Sequence, residues 1–187
     1  SYLTVRGYST SGAYGIYADS TSDGSKFHHL ELDSNLTGIG FYGTCTTDSL
    51  LWSVVDGDSL ATGNGAITID AVGSGNALAW LNNIFVNCVT GVTVTADFTV
   101  AENYNDFYGN TGDRSGVAAG ANDLALNPKF ENIEANDYRP QNASVLTTGL
   151  NIWNDGKNYM GAWDVNPASS VAGYFISYIL VGSPNNA

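Results

Sequence analysis

Positive charge is scarce in this chain. Six Lys and Arg stand against eighteen Asp and Glu in 187 residues, a net charge of −12. A surface of that sign repels nucleic-acid phosphates, anionic lipid and acidic polysaccharide alike, so no nucleic acid is expected as a partner. Long apolar runs are missing too. The longest, from Tyr174 to Val181 and broken by Ser177, is strand-sized and too short for a membrane-crossing helix, so no membrane insertion is expected. Cysteine is limited to Cys45 and Cys88. They sit at different points of the repeat described below, which favours two buried free thiols over a bridge needing its Cα atoms within ~7 Å. No Cys and His spacing points to zinc. His28 and His29 are adjacent, so on a strand they face opposite ways and cannot chelate one ion from one face. An Asp-x-Asp-x-Asp-Gly loop is absent, so no cofactor is expected, calcium held by the plentiful aspartates being the one candidate. The chain opens at Ser1 without Met or a charged-then-apolar leader, and removal of a signal peptide or of a larger N-terminal part is expected.

What the chain does have is a repeat. Apolar residues make up 43% of it and charged ones 13%, enough for one domain with a continuous core. Helical periodicity is nearly absent, whereas 22 glycines mark many tight corners. In NNIFVNCVTGVTV (82 to 94), Ile84 and Val86, then Val92 and Val94, alternate with polar or small residues around a polar corner. LELDSNLTGIGF (30 to 41) and SVVDGDSLATGNGAITID (53 to 70) follow the same plan. The glycines that open the second strand, Gly15, Gly38, Gly65 and Gly91, lie 23, 27 and 26 residues apart. Strands this short cannot stand alone, and such a period predicts a solenoid in which each turn buries its apolar face by stacking on the next. The alternation predicts inward Leu30, Leu32, Ile39, Phe41, Val55, Ile67, Ile69, Ile84, Val86, Val92 and Val94.

The series resembles right-handed parallel β-helix proteins of the pectate-lyase-like kind. Its closing part, NDFYGNTGD (105 to 113), NPKFENIEANDYRP (127 to 140), SVLTTGLNI (144 to 152) and MGAWD (160 to 164), is similar to the C-terminal segment of many such proteins from bacteria and phages. The likeness implies an all-β, right-handed parallel β-helix of about five coils over 1–113, an irregular C-terminal cap over 114–164, and a tail over 165–187 that carries an apolar strand. It implies little about chemistry, because this fold hosts lyases, hydrolases, adhesins and virion spikes.

Stacking gives equivalent positions a shared column, with neighbouring strands ~4.8 Å apart. Aligning Val5, Leu32, Val55 and Val86 brings Arg6, Asp33, Asp56 and Asn87 together. Carboxylates about 5 Å apart suit a retaining glycosidase, and Asp58 joins Asp33 and Asp56 as a catalytic candidate under an enzyme reading, glycoside hydrolase or polysaccharide lyase. The competing reading makes these aspartates corner caps. A lyase acting on acidic polysaccharide needs cations, and Arg6, Lys26 and Arg114 are scattered over different coils. Recurring aromatics offer another surface. Tyr17, Trp52 and Trp80 are the candidate glycan-stacking residues, Trp52 and Trp80 forming one column. In the tail, VAGYFISYILVG (171 to 182) is apolar on both faces and needs covering, so Tyr174, Phe175, Ile176, Tyr178 and Ile179 are expected to mediate oligomerisation, a homotrimer above all. Short corners leave few walls for a substrate cleft. The functional expectation is therefore a non-catalytic, receptor- or glycan-facing protein outside the cell, such as a virion spike, fibre or decoration protein or a surface adhesin.

Overall fold

The computed structural model describes residues 3–7, 14–18, 24–42, 46–57, 65–70, 77–94, 99–152, 154, 156 and 158–163. The chain is an all-β parallel solenoid. Its strands come in triplets: β1 (Leu3–Arg6), β2 (Tyr14–Ala18) and β3 (Lys26–His28), then β4 (Leu30–Asp33), β5 (Thr37–Tyr42) and β6 (Thr46–Leu51). They continue with β7 (Val54–Asp56), β8 (Gly65–Asp70) and β9 (Ala77–Leu81), then β10 (Ile84–Val86), β11 (Thr90–Val94) and β12 (Thr99–Asn103), and finish with β13 (Asp106–Tyr108) and β14 (Gly112–Ser115). Taking every third strand gives three parallel sheets, β1-β4-β7-β10-β13, β2-β5-β8-β11-β14 and β3-β6-β9-β12. The sequence pattern shows the first two strands of each turn. It misses the third, whose members TTDSLL, ALAWL and TVAEN carry no clean alternation.

Equivalent positions stack as the repeat requires. Ile39 lies in register with Ile67, and Ile67 with Val92. Leu32 pairs with Val55, Val55 with Phe85 and Phe85 with Phe107, the two rings stacking at 4.8 Å. Leu50 pairs with Trp80 in the third sheet. Of these residues Leu32, Ile39, Leu50, Val55, Trp80, Phe85, Val92 and Phe107, with Leu30, Phe41, Cys88 and Val94, form the lumen core, whereas the side chains of Ile67 and Ile69, also expected inward, lie outside the described residues. Cys88 is a buried free thiol whose pKa burial pushes far up, while Cys45 lies outside the described residues.

Three expectations need correcting. Gly65 pairs with Thr37 and Thr90, one residue out of step with Gly38 and Gly91. In β10 the inward residue is Phe85, so Ile84 and Val86 face outward. Alternation misassigns this strand because both its faces are buried: a second core of Val54, Ile84 and Val86 packs beneath Tyr138, Val145, Met160 and Ala162 of the C-terminal segment. The fit there is tight enough that a Cβ at Gly161, where φ is 92°, would stand 2.7 Å from Ile84 Cδ1. Finally, Asp56 pairs with Val86, which moves Asn87 out of the Arg6–Asp33–Asp56 column.

Corners are held by polar side chains that turn inward. Leu30 N–H donates to Ser53 Oγ at 3.2 Å, Ser53 N–H to Asn83 Oδ1 at 3.0 Å, Asn83 N–H to Asn105 Oδ1 at 2.9 Å, and Asn105 N–H to Asp123 Oδ1 at 2.9 Å. The amides also cap carbonyls, Asn83 Nδ2 donating to Leu50 O at 3.0 Å and Asn105 Nδ2 to Trp80 O at 2.8 Å. Ser53, Asn83 and Asn105 are fully buried, so each of these groups is satisfied where water is absent. One residue earlier in each turn, His29, Trp52, Asn82 and Tyr104 take left-handed backbone with φ of 55°, 42°, 62° and 56°, the kink that swings the chain from the third sheet back to the first.

Over the last turn, at β14, the lumen is closed by charge. Arg114 lies over the Phe107 ring at 3.8 Å and bonds Glu102 at 3.1 Å and Asp123, and a strap through Leu124 pairs its backbone with Asn105 and Phe107. Removing a rung of the corner ladder tests its contribution. Asn105→Ala removes the acceptor of the buried Asn83 N–H and a donor to the Trp80 carbonyl, and a loss of about 3 kcal/mol in chemical denaturation is expected. Exposed Glu134→Ala should stay within about 0.5 kcal/mol, and equal losses at both sites would refute the ladder's role.

Candidate functional site

The carboxylates come first, because the sequence singles them out. Asp33 and Asp56 lie in register on neighbouring strands, as the column requires. They do not face solvent: Asp33 is 6% exposed and Asp56 4%. Asp33 accepts from Ser34 Oγ at 2.8 Å and pairs with Arg6 Nε at 3.2 Å, and the Asn136 amide in its better-bonded orientation donates to it at 3.1 Å. Asp56 accepts from Asn87 Nδ2 and from the Tyr138 hydroxyl, both at 3.0 Å. One position along the same face, Glu31 accepts from Thr4 Oγ1 at 2.8 Å and from the Trp163 indole N–H. The acidic strip is therefore the seat of the C-terminal segment. Burial, then the nearby Asp56 and Asp33, push the Tyr138 phenol far above its ordinary pKa, which keeps it the donor to Asp56. Asp58 lies outside the described residues.

Of the three aromatic candidates, Trp52 and Trp80 are buried, at 1% and 0% exposure, and belong to different columns. Trp80 is a lumen residue level with Leu50, whereas Trp52 sits at the corner with its ring stacked on His29 at 5.7 Å. Tyr17 is 57% exposed. Its ring stacks on Tyr42 at 4.8 Å with 15° between planes, and Tyr14 meets both edge-on at 5.5 Å. The Tyr42 hydroxyl donates to that of Tyr14 at 2.7 Å. Gly40 makes the cluster possible. It pairs with Tyr17 across β2 and β5, and a Cβ there would come within 2.5 Å of Tyr42 Cε2 and 3.0 Å of Tyr14 Cδ1. Three rings thus lie over a bare patch of backbone on the outer side of the second sheet, fixed before any ligand arrives. The sequence holds the signal in Tyr14, Tyr17 and Tyr42, but only the register shows that a glycine separates them.

His28 and His29 overturn the expectation that they point apart. β3 ends at His28 and His29 turns left-handed, which brings the two Nδ1 atoms to 2.9 Å, while His29 Nε2 meets the Tyr159 hydroxyl at 2.9 Å. Among the described residues no group of three or more His, Cys, Asp or Glu is arranged to hold a metal ion. The tail residues Tyr174, Phe175, Ile176, Tyr178 and Ile179 lie outside the described residues. Comparison with known proteins finds no matching family model, no matching curated sequence and no matching solved structure.

Two other buried acids shape the protein's response to pH. Burial, then hydrogen bonding to Asp123 and its negative charge, raise Glu102 to about 7 against the opposing pull of Arg114. Asp106, whose Oδ2 is buried without a partner, is raised by burial to about 6. Raised acids hold protons in the folded state that the unfolded chain has released. Their stabilisation is complete below the ordinary carboxylate range and is lost as pH climbs through about 6 to 7. The thermal midpoint should accordingly fall between pH 5 and pH 8, and Glu102→Gln should flatten that fall. Parallel pH profiles for the two proteins would contradict the assignment.

Proposed function

We propose that this chain is a non-catalytic β-solenoid that presents a glycan- or receptor-facing surface, as in a virion spike, fibre or decoration protein or a surface adhesin, and that it works outside the cell as a homotrimer. The observation that carries the reading is the Tyr14–Tyr17–Tyr42 cluster. The exposed Tyr17 ring, backed by the half-buried Tyr14 and Tyr42, offers an apolar face to the C–H side of a sugar and hydroxyls to its polar edge, and the stacking of Tyr17 on Tyr42 leaves little freedom to be lost on binding. The net charge of −12 favours neutral glycans over acidic polymers for this surface. Asp33 and Asp56, the carboxylates an enzyme would use, are engaged beneath Tyr138 and Asn136, which supports binding over cleavage. The apolar strand expected over 171 to 182 supports assembly, since a strand of that composition needs a partner.

Screening on an array of neutral and acidic glycans tests the surface. Binding to a neutral glycan should weaken at least tenfold in Tyr17→Ala and Tyr42→Ala and persist in Asp56→Asn, without release of reducing sugar from any member. Sugar release that disappears in Asp33→Asn or Asp56→Asn would establish an enzyme instead. In solution the particle mass should be three times the 19.7 kDa of the chain, falling to the single-chain value when residues 166–187 are removed. A monomeric full-length chain would sink the trimer.

A further inference from the structure

The two ends of the solenoid differ. At β14 the lumen is plugged by Arg114 and Glu102, and the Leu124 strap bonds the backbone of Asn105 and Phe107. At the other end β1, β2 and β3 are the outermost members of their sheets, each paired on one side only among the described residues. Leu3 and Val5 stand level with Leu30 and Leu32, yet Leu3 is 41% exposed and Val5 half-buried where both partners are buried. Phe27 is likewise half-buried beside a fully buried Leu50, and Ile16 beside a fully buried Ile39. The first turn therefore shows the lumen core edge-on, with Val5, Ile16 and Phe27 packed against it from one side.

The backbone is open at the same place. The N–H groups of Leu3 and Gly7 donate to the carbonyls of His29 and Asp33 at 3.4 and 3.2 Å. Successive residues of a strand direct their N–H and C=O groups to opposite sides, so those of Thr4 and Arg6 point away from β4, toward the open edge. The C-terminal segment runs toward this edge. The Gly161 N–H donates to the Asn82 carbonyl at 2.8 Å beside β10, and two residues later the Trp163 indole bonds Glu31 on β4. The other oxygen of that carboxylate accepts from Thr4 Oγ1 on β1 at 2.8 Å. Residues 164–187 follow, outside the described residues, and begin within about one strand of the open edge. Between Trp163 and the apolar stretch 171–182 stand the residues DVNPASS, 164 to 170. Extended, they reach up to ~25 Å, several times the ~4.8 Å between neighbouring strands.

We infer that the open edge of the first turn is the docking surface for the strand 171–182 of the same chain, which lies along β1 as an added rung. Its backbone pairs with the groups of Thr4 and Arg6, and one of its two apolar faces covers Leu3 and Val5 and closes the lumen. A tether this short holds the strand at roughly millimolar effective concentration, which favours the chain's own edge over that of a neighbour. The added strand keeps its far edge for a neighbouring copy, so the docking stands apart from the trimer proposed above.

Amide exchange and cross-linking on the full chain test it. The Thr4 and Arg6 amides should exchange at least tenfold more slowly than in the double variant Ile176→Asp/Ile179→Asp, while Val92, paired on both sides in its sheet, keeps its protection in both proteins. Equal exchange at Thr4 and Arg6 would overturn the inference. Cross-linking leaves the strand's apolar residues in place. In a Cys45→Ser background, Thr4→Cys and Ser177→Cys treated with a short bis-maleimide should give a linked single chain, Cys88 being buried and inert. Linkage between two chains, or none, would overturn the inference. A linked single chain from a monomeric particle would uphold the docking and sink only the trimer, so the two fail separately.

Discussion

The hydrogen bond between a backbone group of one turn and its counterpart in the next is what everything else in this molecule depends on. Strands of three to six residues cannot hold themselves together. Paired in parallel on both sides they form three continuous sheets, and the same pairing sets each side chain above its equivalent. The lumen columns follow, and so does the inward ladder of Ser53, Asn83, Asn105 and Asp123, in which a side chain does at the corner what a strand does along the sheet. Apolar stacking supplies the driving force, but register decides which atoms it brings together.

The register also explains how the acidic strip became a docking seat. Glu31, Asp33, Asp56 and Asp106 fall on the outer face of the first sheet, where Val54, Ile84 and Val86 interleave with them. A strip of alternating carboxylates and aliphatic groups suits a partner that brings donors and apolar groups together. The C-terminal segment does so: Tyr138, Asn136 and Trp163 supply donors, and Val145, Met160 and Ala162 fill the gaps. Each carboxylate buried there has a donor aimed at it, including the Leu126 N–H to Asp106 at 2.9 Å.

Much of this was legible in the sequence, and the failures share a cause. The repeat and the inward Leu32, Ile39, Phe41 and Val92 are readable because their strands alternate apolar residues with polar or small ones. β10 breaks that contrast. IFV is apolar on both faces, and which face turns inward depends on a segment some fifty residues later in the chain. Trp80 and Trp52 are buried against expectation for a related reason: in a third strand without alternation, and at a corner, composition carries no directional information. His29 lies just past the end of its strand, and its left-handed turn leaves no mark in residue type. The tyrosine cluster was half visible, its residues being plain but its assembly over Gly40 being a property of pairing.

The plug at the end of the lumen has a consequence for how copies of the protein meet. A stack of parallel strands is a template, and its last open rung invites another chain to extend it into a filament. Here that rung offers an ion-paired guanidinium and a buried glutamate instead of aliphatic side chains, and the Leu124 strap occupies backbone positions that an incoming strand would need. End-on polymerisation through this terminus would have to strip a salt bridge of its partners and displace a bonded strap, so the fold carries its own stop against runaway growth in that direction.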